Sequence, residues 1–276
     1  MSRQRAGGGR HLADAAILLA LAAYAIPFFW QLLSSFKVDA DLLHGQLVPA
    51  RLTLAHYRVV VEQSPVPRAL VNSLVVALLT TGLALGFGGL AAYALARLPV
   101  PGRSALLLGV IAGTAFPQIA TVSPLYLLMR ALGLRDTWLA LVLADTSFAL
   151  PLVIWLLAGF IAEIPEELEQ AAALDGAGRL QVLRWVVLPL MAPGAASAAL
   201  LTFLFSWNEF LFAYTFTASE PARTVPVALA LFPGVFEVPW GDIAAASILA
   251  SLPPVVIIVV FQRLLVRGLL AGAIRE

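Results

Sequence analysis

The stretch Glu163–Pro189, EIPEELEQAAALDGAGRLQVLRWVVLP, decides how this chain is organised. It carries five of the sixteen acidic residues, and the segments on both sides of it are apolar and long enough to cross a membrane. Charge is costly within the hydrocarbon region, so an interruption of this kind has to face water. The sequence therefore predicts a loop at 163–189 on one membrane surface, between two spans.

The first half of this loop has the signals of a short helix. Pro165 fits the first turn, where its missing N–H would have no partner in any case, and Gly176 fits a left-handed C-terminal end. The acidic residues that favour the positive end of the helix dipole are Glu166, Glu167 and Glu169. These signals predict a helix over about 165–175, followed by a second helical run over about 179–188.

One side of the predicted helix is narrow, with small and apolar groups at spacings of three and four. The residues on or near this stripe are Ile164, Leu168, Ala171, Ala172 and Asp175. A smooth stripe suits close docking to another protein. The alternative is a surface helix that only links two spans and has no partner.

The loop also matches a known pattern. Its residues Gln170, Ala171, Ala172, Gly176, Val186, Leu188 and Pro189 follow the spacing Glu-Ala-Ala, then Gly, then an aliphatic residue, any residue, Leu and Pro. In this the loop resembles the cytoplasmic EAA loop of ABC-importer permeases, with Gln170 in place of the pattern's Glu. The resemblance implies a surface that couples to separate ATPase subunits, made of Glu169, Gln170, Ala171, Ala172, Leu174, Asp175 and Gly176.

Composition independently gives the class of protein. The chain has 276 residues, of which 61% are hydrophobic and 12% charged, and its mean hydropathy is +0.93. This is far more apolar surface than a soluble core of this length would bury, so the chain is predicted to be an integral membrane protein. The net charge of +1 gives no indication of nucleic-acid binding, and the absence of cysteine excludes disulfides and thiolate chemistry.

Six apolar runs are long enough to span a membrane as helices. They lie at about 13–34, 69–96, 104–129, 138–160, 190–217 and 243–265. We therefore expect an all-α, six-helix transmembrane domain at 13–268, with a basic tail at 1–12 and a C-terminal tail at 269–276. If both termini are cytoplasmic, ten of the seventeen basic residues lie inside, which also places the 163–189 loop in the cytoplasm.

The chain lacks the residues for chemistry of its own. Its single lysine, Lys37, is not part of a glycine-rich phosphate loop, so ATP would have to be bound by another chain. The histidines are too scattered for a metal site or a catalytic triad. We expect no enzyme activity, no cofactor and no metal in this chain.

Polar residues within the predicted spans are candidates for function, because they are expensive there. Asp145 lies in the fourth span, and the run Trp207-Asn208-Glu209-Phe210 lies in the fifth. That run resembles the Trp-Asn-Glu-Phe run of maltose-type permeases, which implies that Trp207, Asn208, Glu209 and Asp145 contribute to a sugar path. The alternative role for Asn208 and Glu209 is to bond across helices and hold the bundle or a partner subunit together.

The C-terminal run FQRLLVRGLLAGAIRE resembles the end of the same permeases, so the resemblance extends over nearly the whole chain. It implies a type I (MetI-like) permease fold and a role as one subunit of an ATP-driven sugar importer in the inner membrane of a prokaryote. The implied partners are a sister permease, an ATPase dimer that carries ATP and Mg, an extracytoplasmic binding protein, membrane lipid and the sugar.

Three other functions remain open at this point. An ion-gradient-driven transporter would use Asp145 or Glu209 as its coupling carboxylate. An importer of the same architecture would serve a solute other than sugar. A structural or assembly protein of the membrane would need no cargo path at all.

Overall fold

The computed structural model describes residues 6–49, 51–232 and 238–273, and these form helices joined by short loops, with no strand among them. The α-helices are α1 (Ala6–Ser34), α2 (Asp39–Leu43), α3 (Ala55–Gln63), α4 (Val66–Arg97), α5 (Arg103–Thr114), α6 (Gln118–Ala131), α7 (Trp138–Glu163), α8 (Glu166–Leu174), α9 (Arg179–Val182), α10 (Leu188–Leu190), α11 (Ala192–Trp207), α12 (Leu211–Phe216), α13 (Val225–Ala230) and α14 (Trp240–Ala273). A π-helical turn at Leu183–Val187 joins α9 to α10. The all-α prediction is confirmed.

Four helices are long and apolar enough to cross a membrane, and the number rises to six if each of two bent pairs counts as one span. The first pair is α5 with α6, bent by 92°, within the run predicted as a single span at 104–129. The second is the Arg179–Leu190 helix with α11, bent by 77°. The predicted span at 190–217 differs from the structure in a second way, because α11 ends at Trp207 and α12 begins only at Leu211.

Proline accounts for the bend between α5 and α6. Pro117 is the N-cap of α6, and the residue before a proline is pushed out of the helical region, so the helix cannot run on through Phe116. In the second pair, Pro189 follows the π-helical turn, and Pro193 lies in the first turn of α11. A hydropathy pattern averages over such breaks.

The predicted tails are more helical than the sequence indicated. Helix α1 begins at Ala6, inside the predicted basic tail at 1–12, and α14 continues to Ala273, inside the predicted tail at 269–276. Residues 1–5 and 274–276 lie outside the described residues. The described chain also divides into two compact units, 1–64 with 232–251 and 65–231 with 252–276, where the sequence analysis expects a single domain.

The larger unit is organised around α4 and α7, which run side by side in the same direction. Near their starts, Trp138 Nε1 donates to Asn72 Oδ1 at 3.1 Å. Midway, the two backbones are so close that a Cβ added at Gly88 would lie 2.7 Å from Val153 Cγ1. Close approach through a small residue is a common way for membrane helices to pack, because dispersion forces replace the hydrophobic effect there.

The loop between α6 and α7 ties this unit together near the start of α7. Asp136 has a left-handed backbone, with φ of 61°, which aspartate tolerates better than most residues. Its carboxylate accepts hydrogen bonds from the backbone N–H groups of Ala218 and Ser219, both at 3.1 Å, and from the Ser219 hydroxyl. Partial burial opposes ionisation, but these bonds together with the charge of Arg135 outweigh it and lower the pKa of Asp136.

The smaller unit has a polar centre at His56. The ring Nδ1 lies 2.7 Å from Asp242 Oδ1, and Nε2 lies 2.8 Å from the carbonyl oxygen of Lys37. A carbonyl oxygen only accepts, so the ring Nε2–H is the donor in the contact with Lys37. Lys37 is itself buried, and its Nζ donates to the Gln46 carbonyl at 2.7 Å and lies 4.0 Å from the centroid of the Trp30 ring.

The first prediction concerns Gly241, whose added Cβ would lie 2.3 Å from the His56 ring. We expect Gly241→Ala to displace the ring, break its bond to Asp242 and lower the apparent unfolding temperature by several degrees, measured by thermal unfolding of the purified protein in detergent. Gly82→Ala is the matched control, because a Cβ there has nothing within 4 Å. Equal unfolding temperatures for the two variants would contradict this packing.

The second prediction concerns pH. Because the pKa of Asp136 is lowered in the folded protein, its bonds contribute fully above the unfolded-state pKa, about 3.9, and are lost as the pH falls below that value. Hydrogen exchange of the Ala218 and Ser219 amides, corrected for intrinsic rates between about pH 6 and pH 3, should therefore accelerate toward acid. In Asp136→Asn this added acceleration should be missing. The same pH dependence in both proteins would rule out the carboxylate as its cause.

Candidate functional site

Helix α8 is the predicted helix of the 163–189 loop. Pro165 is its N-cap, the three glutamates occupy its first turn, and Asp175 follows it as C-cap. Gly176 then adopts the left-handed conformation, with φ of 88°, which avoids the strain that a Cβ would suffer there. The helix predicted at about 165–175 is thus confirmed to within one residue at each end, with Pro165 just before its first turn.

The faces of α8 differ from the predicted stripe. Ile164, just before the helix, is buried and Ala172 is half-buried, whereas Ala171 and Asp175 are exposed. Among the predicted coupling residues, Gln170 also points to the surface, and the side chain of Leu174 is exposed over 90% of its area. The outward face of α8 is therefore formed by Gln170, Ala171 and Leu174, with the exposed Glu167 on the same face near the start of the helix.

Glu169 points the other way, toward the end of α4. Its Oε1 accepts a hydrogen bond from Arg97 Nε at 2.5 Å, and its Oε2 accepts one from the Tyr93 hydroxyl at 3.1 Å. Tyr93 and Arg97 are four residues apart on α4, so they project from the same face. Only 13% of the Glu169 side chain and 8% of the Arg97 side chain are exposed, which makes this a largely desolvated ion pair.

Arg97 also holds the end of α7. Its Nη2 donates to the carbonyl of Ile161 at 2.7 Å and to the carbonyl of Ile164. The last carbonyls of a helix have few partners within it and form the negative end of its dipole, so they suit a guanidinium group. We call the set Tyr93, Arg97, Ile161, Ile164 and Glu169 the Arg97 junction.

The sequence analysis missed this junction, because it used the basic residues only to orient the chain in the membrane. A signal was available in the position of Arg97, which ends an apolar span and has no acidic residue near it in the chain. Its partner Glu169 is 72 residues away, however, and pattern alone does not choose one of the five acidic residues in the loop.

Asp145 links two spans of the larger unit. It is only 1% exposed, and its Oδ2 accepts a hydrogen bond at 2.5 Å from the hydroxyl of Ser206 on α11. Its Oδ1 has no hydrogen-bond partner among the described residues. A carboxyl group placed this deeply connects α7 to α11 and does not line an open surface of this chain.

The run Trp207-Asn208-Glu209 forms the end of one helix and the start of the next. The carboxylate of Glu209 is buried and accepts hydrogen bonds from the backbone N–H groups of Phe212 at 2.8 Å and Ala213 at 3.0 Å. It thereby caps α12, whose first N–H groups have no partner within the helix. The break between α11 and α12 is stabilised by Glu209, a polar residue that lies within it.

The other two residues of the run have different surroundings. Trp207 is buried and stacks on Phe203, with ring centroids 5.6 Å apart. Asn208 is exposed, and its Nδ2 donates to the Leu204 carbonyl of its own helix at 2.7 Å. Of the four predicted path residues, only Asn208 thus presents its side chain to the surface of this chain.

A comparison with protein families decides the wider identity. Residues 8–271 match the model of the binding-protein-dependent transport system inner membrane component. The chain belongs to this family. With several apolar helices of spanning length, it is a multi-pass membrane protein, and the family expectation from the EAA loop is confirmed.

Relatives within the family are similar over almost their whole length. The chain is 43% identical over 252 residues to the trehalose transport system permease protein SugB of Mycobacterium tuberculosis, covering 91% of this chain and 92% of SugB. It is 39% identical over 263 residues to the trehalose/maltose transport system permease protein MalG of Thermococcus litoralis, covering 94% of each. The sulfoquinovosyl glycerol transport system permease protein SmoH of Agrobacterium fabrum is also 39% identical, over 97% of this chain and 94% of SmoH.

Solved structures show the same fold. A chain in the crystal structure of a bacterial ABC transporter involved in the import of the acidic polysaccharide alginate superposes with a TM-score of 0.82. It is 22% identical, and the match covers 95% of this chain and 99% of that one. A chain of the MetNI methionine ABC transporter matches with a TM-score of 0.56 and 18% identity, over 79% of this chain and 99% of that one. The predicted type I permease fold is confirmed.

The third prediction concerns the cap at Glu209. We expect Glu209→Ala to leave two buried N–H groups of α12 without an acceptor and to destabilise the protein by about 1–2 kcal/mol. Glu209→Gln keeps one acceptor oxygen and should fall between this variant and the wild type. Asn208→Ala, which changes the exposed neighbour, is the control. Thermal unfolding in detergent orders the four proteins, and a Glu209→Ala protein as stable as the control would contradict the cap.

Proposed function

We propose that this chain is one permease subunit of an ATP-driven importer for sugars, with both termini in the cytoplasm. The observation that supports this most directly is α8, a short helix held at the end of α4 and α7, whose outward face is uncharged and partly apolar at its centre. An exposed Leu174 on a short loop helix has no role in packing this chain, and it suits docking into a partner protein. In this proposal the partner is an ATPase dimer, which binds ATP and Mg and does the hydrolysis.

The coupling surface in this proposal is centred on the outward residues Gln170, Ala171 and Leu174. Ala172, Asp175 and Gly176 shape the helix and its end, and Glu169 fixes its orientation. ATP binding closes the ATPase dimer, the closed dimer moves α8, and the spans reorient toward an extracytoplasmic binding protein. This requires only that the ATP-bound partner prefer one conformation of the permease over the other.

The proposed cargo is a disaccharide-sized sugar. Two relatives that are about 40% identical over most of the chain are named for trehalose or for trehalose and maltose. Asn208 offers an exposed amide to sugar hydroxyl groups. The buried side chains of Trp207, Glu209 and Asp145 hold the helix ends that form the path. A sister permease supplies the other half of the path, within the lipid of a prokaryotic plasma membrane.

Transport in a reconstituted system tests the function. The chain is purified with the sister permease and ATPase that accompany it, placed in liposomes, and supplied with its extracytoplasmic binding protein and radiolabelled trehalose or maltose. We expect uptake that requires ATP and the binding protein. Uptake that is independent of ATP and depends on a proton or sodium gradient would instead support a secondary transporter with Asp145 or Glu209 as its coupling carboxylate.

The fourth prediction tests the docking face. Leu174→Asp places a charge where a docked ATPase would bury an apolar side chain, a loss of about 1.5–3 kcal/mol in burial alone. We expect the ATPase to be lost during purification and ATP-dependent uptake to fall by at least about tenfold. Leu47→Asp is the control, since Leu47 is 71% exposed and lies outside the 163–189 loop. Retention of the ATPase by Leu174→Asp would count against α8 as the docking helix.

A further inference from the structure

Helix α8 does not fix its own orientation. It has nine residues, below the length at which an isolated helix is stable in water, and its apolar residues are exposed except for the half-buried Ala172. Packing therefore contributes little to holding it at one angle. Its position depends on specific contacts, of which the largely buried pair of Arg97 and Glu169 is the strongest charge interaction.

Arg97 is directed into the protein and not toward lipid. An arginine at the end of a span commonly anchors the helix by reaching the headgroup region, where its guanidinium remains solvated. Here only 8% of the side chain is exposed. Its nitrogens instead reach Glu169, the carbonyls of Ile161 and Ile164 and, at 3.5 Å, the carboxylate of the exposed Glu166.

These contacts connect three elements at one point. The chain itself joins α7 to α8 through Ile164 and Pro165, whereas α4 is distant from both in sequence. Arg97 connects α4 to the end of α7 through two carbonyl groups and to α8 through Glu169. Tyr93 adds a second bond from α4 to the same carboxylate.

We infer that Arg97, through Glu169, is the positioning residue that makes the ends of α4, α7 and α8 move as one body. This inference rests on the proposed function, because it assigns the junction the task of passing a displacement of α8 on to α4. Without the junction, a docked ATPase would still hold α8, but α8 would be joined to the closely packed helices α4 and α7 mainly through the short link at Ile164 and Pro165, and it could turn about that link. Docking and coupling would then separate.

The guanidinium group is specifically suited to this task. Its planar fork donates in several fixed directions at once, here to a carboxylate on one side and to two carbonyls on the other. A lysine ammonium carries the same charge on a single flexible atom and cannot reproduce that geometry. Arg97→Lys therefore separates the geometry of the junction from its charge.

The test compares Arg97→Gln, Arg97→Lys and Glu169→Gln with the wild type and with Arg130→Gln. Arg130 is an exposed arginine in the last turn of α6 and serves as the matched control. For each complex three quantities are measured: the ATPase retained through purification, the sugar imported per ATP hydrolysed, and the hydrogen exchange of amides in 164–176. A merely structural role would lower all activities in parallel, whereas a positioning role changes the ratio of import to hydrolysis.

We expect Arg97→Gln to keep the ATPase bound and hydrolysing ATP. The sugar imported per ATP should fall by about tenfold, and hydrogen exchange of the α8 amides should accelerate by about tenfold or more, because Glu169 is left buried without its partner. Arg97→Lys should import more sugar per ATP than Arg97→Gln but less than the wild type. Glu169→Gln should also uncouple, and it leaves the bonds of Arg97 to the α7 carbonyls in place, so it carries the test if Arg97→Gln does not fold. An unchanged import ratio with unchanged α8 exchange in either neutral variant would overturn the inference.

Failure of the proposed function can be distinguished from failure of this inference by the behaviour of the wild-type complex. If wild-type complexes show no ATP-dependent uptake, the importer proposal fails whatever the variants do. The junction then still predicts faster exchange at 164–176 in Arg97→Gln and Glu169→Gln, measured on the purified chain without any partner. Faster exchange would then assign Arg97 a purely structural role and remove its part in coupling.

Discussion

Charged side chains within or at the ends of apolar spans are stabilised by partners inside the protein, and the contacts at Arg97, Asp145 and Glu209 follow from this constraint. Water is scarce there, so burying an unpaired carboxylate or guanidinium group would cost more free energy than the packing of a short helix contributes. Arg97 meets Glu169 and the end of α7, Asp145 meets Ser206, and Glu209 meets the first amides of α12. Together with close packing such as that of Gly88 against Val153, these contacts hold particular helix ends beside one another.

Hydropathy and helix-end signals predicted the spans and α8 from the sequence, because both depend on residues that are close together in the chain. Pro165 and Gly176 bound α8 by the conformations they favour, and no distant residue is needed to explain either. The breaks within spans also have local causes, but an average of hydropathy over a span does not register them. The stop after Trp207 is stabilised by a side chain that reaches forward to two amides, and its residues otherwise fit an apolar span. A hydropathy average cannot distinguish a polar residue that caps a helix from one that lines a path.

The candidate site was predictable in location but not in geometry. The spacing of the loop residues identified the stretch that carries α8, and the family match supports that identification. Which acidic residue points inward could not be derived, since the Arg97–Glu169 contact joins positions 72 residues apart. The same limit applies to the path residues. Trp207, Asn208 and Glu209 are consecutive, yet one is stacked in the core, one is exposed and one caps a helix.

The structure offers a physical interpretation of Gln170, which stands where the EAA pattern has Glu. The glutamate that precedes it is committed to Arg97 and Tyr93, so the outward face of α8 has Gln170, Ala171 and Leu174 and no charge at its centre. Exposed acidic groups lie only toward its ends, at Glu166, Glu167 and Asp175. Under the proposed docking, the centre of the interface would gain its free energy from burying Leu174 and closely approached alanines. The charges at the rim would orient the partner and set its association rate, with a smaller part in affinity. A neutral residue at 170 is consistent with that division, because a buried charge there would need a partner of opposite sign to offset its desolvation.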